Sequence, residues 1–598
     1  MITQATQHPT QNLAADWWKN SVVYQIYPRS FLDSNHDGIG DLPGIIQKLD
    51  YLQQLGVDVI WLSPHFDSPN VDNGYDIRDY QKIMTELGTM TDFDALMAGL
   101  KARNMHLIID LVVNHTSDQH AWFKASASSA SEQNPYRDYY IWRDPVNGAE
   151  PNNYPSFFGG SAWEFCPSRG QYYLHYFAKQ QPDLNWENPK VRQEVYDLMR
   201  FWLNKGVSGF RMDVIPFISK PEGLANLTPE QLEHPEFVYA NGPHVHEYLQ
   251  ELHRTVLAPF NAMTVGEAFG VTFENAPLFT DASRQELSMI FHFDVVRLDR
   301  DNWRKTDWNL PQLKATLAAL DSVPNAQGWN TSFLCNHDNP RIVSHFGNDS
   351  PQWRELSAKA LAMVYLCQRA TPFIYQGDEL GMSNFPFTRL EQYNDLEVKG
   401  MWDKWVATGK VSASEYLAHQ AQTSRDHART PMQWSKQAQA GFTQGKAWLE
   451  VNPNYPNINA ENQLQDQDSV LRFYQQLIQL RRQLPVLVHG SYQDLAPDHQ
   501  HLYIYQRVFT KPHSTKTSCV WICINFSETE QVWPIPSNKN NSEVKQNDPA
   551  LPPFTQLSVL LDNYPNSFTA KQALGQTLQH QQRIELKAWQ ALLIELVN

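Results

Sequence analysis

Four carboxylic acids stand in short polar clusters that each follow an aliphatic run. They are Asp110-Leu-Val-Val-Asn-His115 after Leu107-Ile-Ile, Gly209-Phe-Arg-Met-Asp213 after Gly206-Val-Ser, Val265-Gly-Glu267 after Ala262-Met-Thr, and Asn336-His-Asp338 after Thr331-Ser-Phe-Leu. Runs of this kind read as buried strands, so each acid arrives at or near a strand end. Carboxylates carried by several parallel strands converge at one mouth of a barrel, where such folds keep their chemistry. Two carboxyl groups flanking one bond are what hydrolysis of a glycosidic linkage needs, one to protonate the leaving oxygen and one to meet the anomeric carbon. A single strand-end Asp can equally be the cap of the next helix; four in this context point to a carbohydrate-active site.

The elements that must hold these acids alternate between β and α over about 380 residues. Val22-Val-Tyr-Gln-Ile-Tyr and Val57-Asp-Val-Ile-Trp-Leu read as strands, with helical apolar spacing from Leu42 to Leu55 between them and a stop at Gly56. The alternation returns through Ser288-Met-Ile-Phe-His-Phe and Pro372-Phe-Ile-Tyr-Gln, giving eight strands and an α/β fold, the (β/α)8 TIM barrel. Residues 116–185 interrupt it after strand 3. They are rich in Ser, Asn, Pro, Tyr and Trp, too long for a βα loop and too aromatic for disorder, and so predict a small inserted domain. From about residue 500 the pattern becomes short alternating strands (Leu502-Tyr-Ile-Tyr, Cys519-Val-Trp-Ile-Cys-Ile, Ala591-Leu-Leu-Ile-Glu-Leu), as in an antiparallel β-sandwich. The expected division is therefore a barrel over 1–115 and 186–500, an insert over 116–185 and a C-terminal β-sandwich over 501–598. Asn538 to Pro553 reads as a loose polar loop.

Bulk properties exclude more than they assign. A chain of 598 residues exceeds one core, and 42% hydrophobic content supports a large interior. No run of about 18 apolar residues predicts a membrane span. The net charge of −16 without a basic block argues against nucleic acid or an acidic membrane surface. Aromatic residues make up 12%, with 19 Trp, and rings stack on sugar faces as well as filling cores. Met1 to Thr10 lacks the basic and apolar regions of a signal peptide. Cys166, Cys335, Cys367, Cys519 and Cys523 form no metal spacing, and four residues along a strand span roughly 13 Å, too far for Cys519 and Cys523 to bridge. Reduced thiols in the cytoplasm are expected.

Asp33-Ser-Asn35-His-Asp37-Gly-Ile39-Gly-Asp41 places side-chain oxygens at alternate positions with glycines permitting the turn, a donor set suited to a hard cation such as Ca²⁺. Its twelfth position is Gly44 rather than Glu, so it is not an EF-hand. The plain alternative is an Asp/Asn-rich turn without metal.

The four acid-bearing segments, in order and spacing, together with Gln181-Pro-Asp-Leu-Asn185, resemble the motif regions of the α-amylase family, glycoside hydrolase family thirteen, in its oligo-1,6-glucosidase and sucrose isomerase branch. The resemblance covers nearly the whole chain. It implies Asp213 as nucleophile, Glu267 as general acid and base, and Asp338 as a sugar-binding acid that helps distort the ring. It implies that Arg211 orients the nucleophile and keeps it ionised, and that His115 and His337 bind glucose hydroxyls. Asp110, set back on its strand, is expected to be a structural acceptor. Tyr75, in Asn73-Gly-Tyr-Asp76, resembles the stacking platform of a pocket for the non-reducing end, and Arg429 is the expected salt-bridge partner of Asp76, closing that pocket behind one glucose. The same branch binds Ca²⁺ through the side chains of Asp33, Asn35, Asp37 and Asp41 and the Ile39 carbonyl, a structural metal. No organic cofactor, nucleic acid or membrane is expected, only a small α-glucoside, and the enzyme is expected to be a monomer.

Two fates of the glucosyl group stay open. Taken by water, it makes the chain a retaining exo-acting α-glucosidase on α-1,6- or α-1,4-linked glucosides, with sucrose among its substrates. Taken by the released fructose, it makes a sucrose isomerase forming isomaltulose or trehalulose. Arg297-Leu-Asp-Arg-Asp301 resembles the isomerase loop, and Phe269 and Phe293 match the aromatic pair that clamps its entrance. Against this, Val214 after the nucleophile and Asp378 in Gln376-Gly-Asp-Glu379 resemble the glucosidases, with Pro216 a departure from their pattern. The balance favours the glucosidase. A catalytically silent amylase-like protein would predict a membrane anchor and the loss of at least one catalytic acid, and neither is seen in the sequence.

Overall fold

The computed structural model describes residue 10 and residues 13–240, 242–322, 328–535, 554–565, 568–581 and 583–597; the expected loop Asn538 to Pro553 lies outside them. The barrel strands are β1 Val23–Ile26, β2 Val59–Leu62, β3 His106–Leu111, β4 Gly209–Met212, β5 Met263–Glu267, β6 Met289–Phe291, β7 Thr331–Ser332 and β8 Thr371–Tyr375. All ladders between them are parallel, in the order β6-β5-β4-β3-β2-β1-β8-β7. Between β6 and β7 the Thr331 hydroxyl donates to the Ile290 carbonyl at 2.8 Å, so a side chain spans the seam where no ladder forms. The strands are short and almost wholly buried because helices cover them outside while Val59, Trp61, Ile108, Val265, Phe291 and Phe373 fill them inside. The expected helix from Leu42 to Leu55 is two, Leu42–Gln47 and Leu49–Leu55, broken at Lys48; Gly56 ends the second with φ 98°, a conformation that suits glycine.

Register decides what the barrel presents. Asp110 pairs with Arg211 across β3 and β4, and Val265 pairs with Arg211 across β4 and β5. Side chains two residues apart share a face. Arg211 and Asp213 therefore point the same way, and Glu267, two beyond Val265, comes level with Asp213.

Between β3 and β4 the insert forms a helix, Ala121–Ala127, and a three-stranded antiparallel sheet of Trp142–Arg143, Gln171–Leu174 and Trp163–Cys166 with the second of these central. Its departing and returning ends are tied together by bridges between His115 and Asp183 and between Tyr140 and Leu184. The insert is thus pinned at its base to the barrel mouth.

The C-terminal region is a five-stranded antiparallel sheet, Ser491–Asp494, Leu502–Thr510, Thr517–Asn525, Ala591–Val597 and Gln556–Asp562, facing a two-stranded one, Gln531–Pro534 with Arg583–Leu586. Trp521, Trp533, Leu557 and Ile584 pack between them. The first strand begins ten residues before 501, within the segment that the sequence pattern groups with the barrel. Cys519 and Cys523 lie on one strand, and all five cysteines are free.

Two cations on either side lock this sandwich to the barrel helix Leu310–Ser322. Lys314 Nζ donates to the carbonyls of Ala496, His499 and Leu502 at 2.5, 2.8 and 3.1 Å. Arg507, fully buried, reaches Asp321 at 2.8 Å. Leaving a buried polar group unpaired costs about 1–3 kcal/mol. Lys314→Met is therefore expected to lower the urea midpoint of unfolding while the folded enzyme keeps its turnover; an unchanged midpoint would remove Lys314 from the docking interface.

Candidate active site

Arg211 is 2% exposed and its guanidinium serves three carboxylates at once. Nη1 donates to Asp110 Oδ1 and to Asp213 Oδ1, both at 2.6 Å, and Nη2 donates to Glu267 Oε2 at 2.7 Å. Asp110 also accepts the Trp61 indole N–H at 2.9 Å and does not reach the cleft, which suits a structural acceptor. Burial pushes Asp110 up to about 6 against the pull of Arg211. Asp213 is likewise raised, first by burial and then by Glu267 and Asp110, with Arg211 opposing.

The chain turns sharply after Asp213. Val214 has φ 35° and ψ 41°, left-handed values that a β-branched side chain adopts only under constraint. The turn aims the Val214 N–H at Glu267 Oε2, 3.1 Å away, before a 3₁₀ helix begins at Ile215.

One cleft above the barrel is lined by Asp213, Glu267 and Asp338, by Tyr75, His115 and Val214, and by Phe269, Phe293 and Arg297. Phe269 and Phe293 lie 5.2 Å apart between ring centroids, and the Arg297 guanidinium stacks over Phe269 at 4.5 Å. The remaining expected residues stand behind this surface. Arg211 lies beneath the acids. His337 is fully buried under Tyr75, the two rings nearly parallel at 5.5 Å, with Nε2 2.6 Å from the Tyr75 hydroxyl and 3.3 Å from Asp338 Oδ2. Its Nδ1 faces Gln25 Nε2 at 2.8 Å, so the ring proton belongs on Nε2, directed at Tyr75 and Asp338. Burial pushes His337 down to about 3, keeping it neutral.

The expected ion pair between Asp76 and Arg429 is not formed. Asp76 is fully buried and accepts the Ser68 hydroxyl and the N–H groups of Val71 and Asp72, all at 3.0 Å; its carboxylate closes its own turn. Arg429 instead donates to Asp338 Oδ1 at 2.6 Å and to the His337 carbonyl at 3.0 Å. The carboxylate that reaches the cleft from this turn is Asp72, which accepts from Gln181 at 3.1 Å. Burial pushes Asp72 up to about 6 while Arg425 and Arg429 pull the other way. Asp72 lies three residues before Tyr75 and Asp76 one after it, and spacing alone does not choose between them; the turn does.

Arg425 is the other residue that pattern reading missed. It lines the cleft, pairs with Asp395 through two hydrogen bonds, and lies 3.4 Å from both Asp338 and Glu397. Burial acts against it, but the three permanent cations Arg425, Arg429 and Arg211 together hold Asp338 below the usual carboxylate range. The Arg425-Asp-His-Ala-Arg429 run already placed two arginines four apart, yet only the fold brings Asp395, from a loop some 30 residues earlier, against them.

The loop from Asp33 to Asp41 contributes nothing to the cleft lining. Gly38 is held with φ 96° where a Cβ would meet the Lys446 carbonyl at 2.0 Å, so the loop is docked tightly on residues 443–447. Its donors are hard oxygens, which fits a divalent cation, but they are turned into the loop. Asp33 accepts the N–H groups of Asn35, His36 and Gly38, Asn35 that of Asp37, Asp37 that of Ile39, and Asp41 those of Ser34 and Gly44. Among the described residues no three His, Cys, Asp or Glu side chains are gathered as a metal would need.

Comparison with known proteins agrees with this geometry. Residues 25–490 match the alpha amylase catalytic domain family. The chain is 52% identical over 505 residues to an oligo-1,6-glucosidase of Halalkalibacterium halodurans, covering 83% of this chain and 89% of that one. It is 49% identical over 528 residues to an oligo-1,6-glucosidase of Parageobacillus thermoglucosidasius, covering 87% and 92%. Among solved structures, the isomaltulose synthase of Erwinia rhapontici superposes with a TM-score of 0.90 at 50% identity, covering 97% of this chain and 99% of that one. A trehalulose synthase variant does so with the same score and identity, covering 97% and 100%. With more than two thirds of its length inside the catalytic-domain match, and with its acids at the mouth of a (β/α)8 barrel, the chain belongs to the α-amylase family.

Proposed function

We propose that this chain is a retaining, exo-acting α-glucosidase that releases glucose from the non-reducing end of α-1,6- and α-1,4-linked oligosaccharides, with sucrose a further substrate. The observation that carries this is the single guanidinium joining Asp213 and Glu267 at 2.6 and 2.7 Å. Bridging of that kind favours a close pair, as in retaining enzymes (about 5–5.5 Å), over the wider spacing of an inverting pair (about 6.5–9.5 Å). Glu267 gives its proton to the leaving glycosidic oxygen as Asp213 attacks the anomeric carbon and forms a β-glucosyl ester. Glu267 then takes a proton from water, which attacks the anomeric carbon from the face the leaving group vacated; the bond from that carbon to Asp213 breaks, the carboxylate is released, and the α configuration is restored. Asp72, Tyr75, His115, Asp338 and Arg425 wall the inner end and fit one terminal glucose, which supports exo action. The five unpaired cysteines support a reducing, cytoplasmic setting, and no described helix is long and apolar enough to cross a membrane.

One observation favours a second reading. The stacked Phe269, Phe293 and Arg297 at the cleft could retain a released fructose while it re-attacks through another hydroxyl, the outcome in a sucrose isomerase. The two fates differ by about 1–3 kcal/mol between competing transition states. Product analysis separates them. The expected outcome is glucose from isomaltose, and only glucose and fructose from any sucrose consumed. Isomaltulose or trehalulose as the main sucrose product would establish the isomerase instead. Asp213→Asn should lower turnover by orders of magnitude with the fold intact, and an active variant free of deamidation would sink the mechanism.

Two further outcomes belong to this reading. Asp213 must be ionised to attack, so activity falls as pH drops through its raised pKa, and the acid limb of kcat/KM should lie above the ordinary Asp value of about 3.9. Asp110→Asn removes a neighbouring negative charge that raises Asp213, so it should move that limb to lower pH; a shift upward would show that the charge network is misread. The Asp33 to Asp41 loop is proposed to take a structural Ca²⁺ once its oxygens turn outward. Added Ca²⁺ should then raise the Tm of chelator-treated protein, and an unaltered Tm would leave the loop a metal-free turn.

A further inference from the structure

Lys220 ends the turn that follows the nucleophile, and its ammonium is buried with all three N–H bonds used. They go to Asp183 Oδ2 at 2.5 Å, Asn114 Oδ1 at 2.7 Å and the Phe217 carbonyl at 2.8 Å. Each acceptor belongs to a different part of the molecule. Asn114 precedes His115 beyond the end of β3, Asp183 sits on the insert's returning segment bridged to His115, and Phe217 is in the nucleophile's own turn.

An ammonium can only donate, so the Asn114 atom facing Lys220 must be its oxygen. The other end of that carboxamide is then an NH₂, and it lies 3.2 Å from His115 Nδ1. An NH₂ also only donates. Nδ1 must therefore accept, and the imidazole proton belongs on Nε2. The Tyr75 carbonyl, which only accepts, stands 3.2 Å from Nε2 and requires the same. The Gln181 carboxamide nitrogen is also 3.2 Å from Nε2, its orientation fixed by the Ala178 N–H on its oxygen and by Asp72 on its nitrogen. That one contact is unmatched in this tautomer. The other tautomer mismatches both Asn114 and Tyr75, and the imidazolium mismatches both Asn114 and Gln181. Charge works the same way: burial first, then Lys220, pushes His115 down to about 3. The ionisable groups that border it from the neighbouring segments are Lys220, paired to Asp183, together with Asp72 and Tyr75.

We propose that Lys220 is a positioning residue for sugar recognition: through the Asn114 carboxamide it holds His115 as a neutral imidazole with its proton on Nε2, the edge beside Asp72 and Tyr75 in the cleft. The inference rests on the α-glucosidase reading, in which that N–H serves a hydroxyl of the terminal glucose.

Asn114→Asp tests it with almost no change of shape. The variant keeps an acceptor for Lys220 but sets an acceptor against Nδ1, so the proton moves there and the ring becomes protonatable. KM for isomaltose is expected to rise about tenfold, the loss of about 1.4 kcal/mol of binding. It should also gain a pH dependence between about 5 and 8, where an imidazole beside a carboxylate titrates. Both effects should vanish when the substitution is made in His115→Ala. An unchanged KM, or the same loss with His115 absent, overturns the proposal. If Asn114→Asp does not fold, Lys220→Met with Asp183→Asn removes both charges of the buried pair together and is read by the same two criteria. Wild-type enzyme that releases no glucose from any α-glucoside would refute the glucosidase reading itself; active wild type with a loss indifferent to His115 refutes the relay alone.

Discussion

One buried cation has to serve three buried acids. Arg211 touches Asp110, Asp213 and Glu267, and among the described residues no second cation pairs with these three acids. Only a guanidinium can do this, because its planar fork points separate N–H groups at separate carboxylates and does not lose its proton. The charge imbalance is part of the chemistry. Three carboxylates around one positive group favour keeping a proton within the set, and a glycosidase needs one acid protonated while another stays ionised. Asp110, hidden from the cleft and tied to Trp61, fixes the guanidinium from behind. It leaves the two remaining N–H contacts for Asp213 and Glu267, the two acids that reach the cleft.

That contact shell depends on strand register more than on any loop. Asp110, Arg211 and Val265 are opposite one another across three neighbouring strands, so a slip of one residue would turn Arg211 into the surrounding helices. Around this rigid centre the recognition surface is assembled from distant segments, each tethered by charge. Arg425 and Arg429 hold Asp338 and the loop carrying Asp395, while Lys220 holds the base of the insert. Buried pairs of this kind contribute little net stability but are costly to break singly, about 3–5 kcal/mol, so they specify one arrangement of the rim. A pocket fixed in advance spends less of its binding energy on ordering itself.

The outer part of the cleft is built differently. Phe269, Phe293 and Arg297 form a stack of faces with few directional bonds, able to favour a sugar ring without fixing which hydroxyl it presents. Hydrolysis and re-attack by a retained sugar share the glucosyl-enzyme and diverge only here. Relatives about 50% identical to this chain carry different names over one fold.

The sequence by itself determined the barrel, the order of its strands, the insert, the terminal sandwich and the acids Asp213, Glu267 and Asp338. Strand burial leaves runs of aliphatic residues, and the polar residues that follow those runs stand at the barrel mouth; their roles came from the resemblance to the family's motifs. It did not determine which of Asp72 and Asp76 reaches the cleft, because both lie in one turn with Tyr75 and only the backbone path shows that Asp76 is consumed by Ser68, Val71 and Asp72. Nor did it give Arg429 its true partner, Asp338, or reveal Arg425 with Asp395. Those contacts join residues 30 to 91 positions apart, and no local pattern encodes them. The split of Leu42 to Leu55 at Lys48 and the start of the sandwich at Ser491 were decided by packing against neighbouring elements, which periodicity along one segment does not register. Chemistry that must sit at strand ends was legible in one dimension; which charges meet around it was decided only when the chain closed.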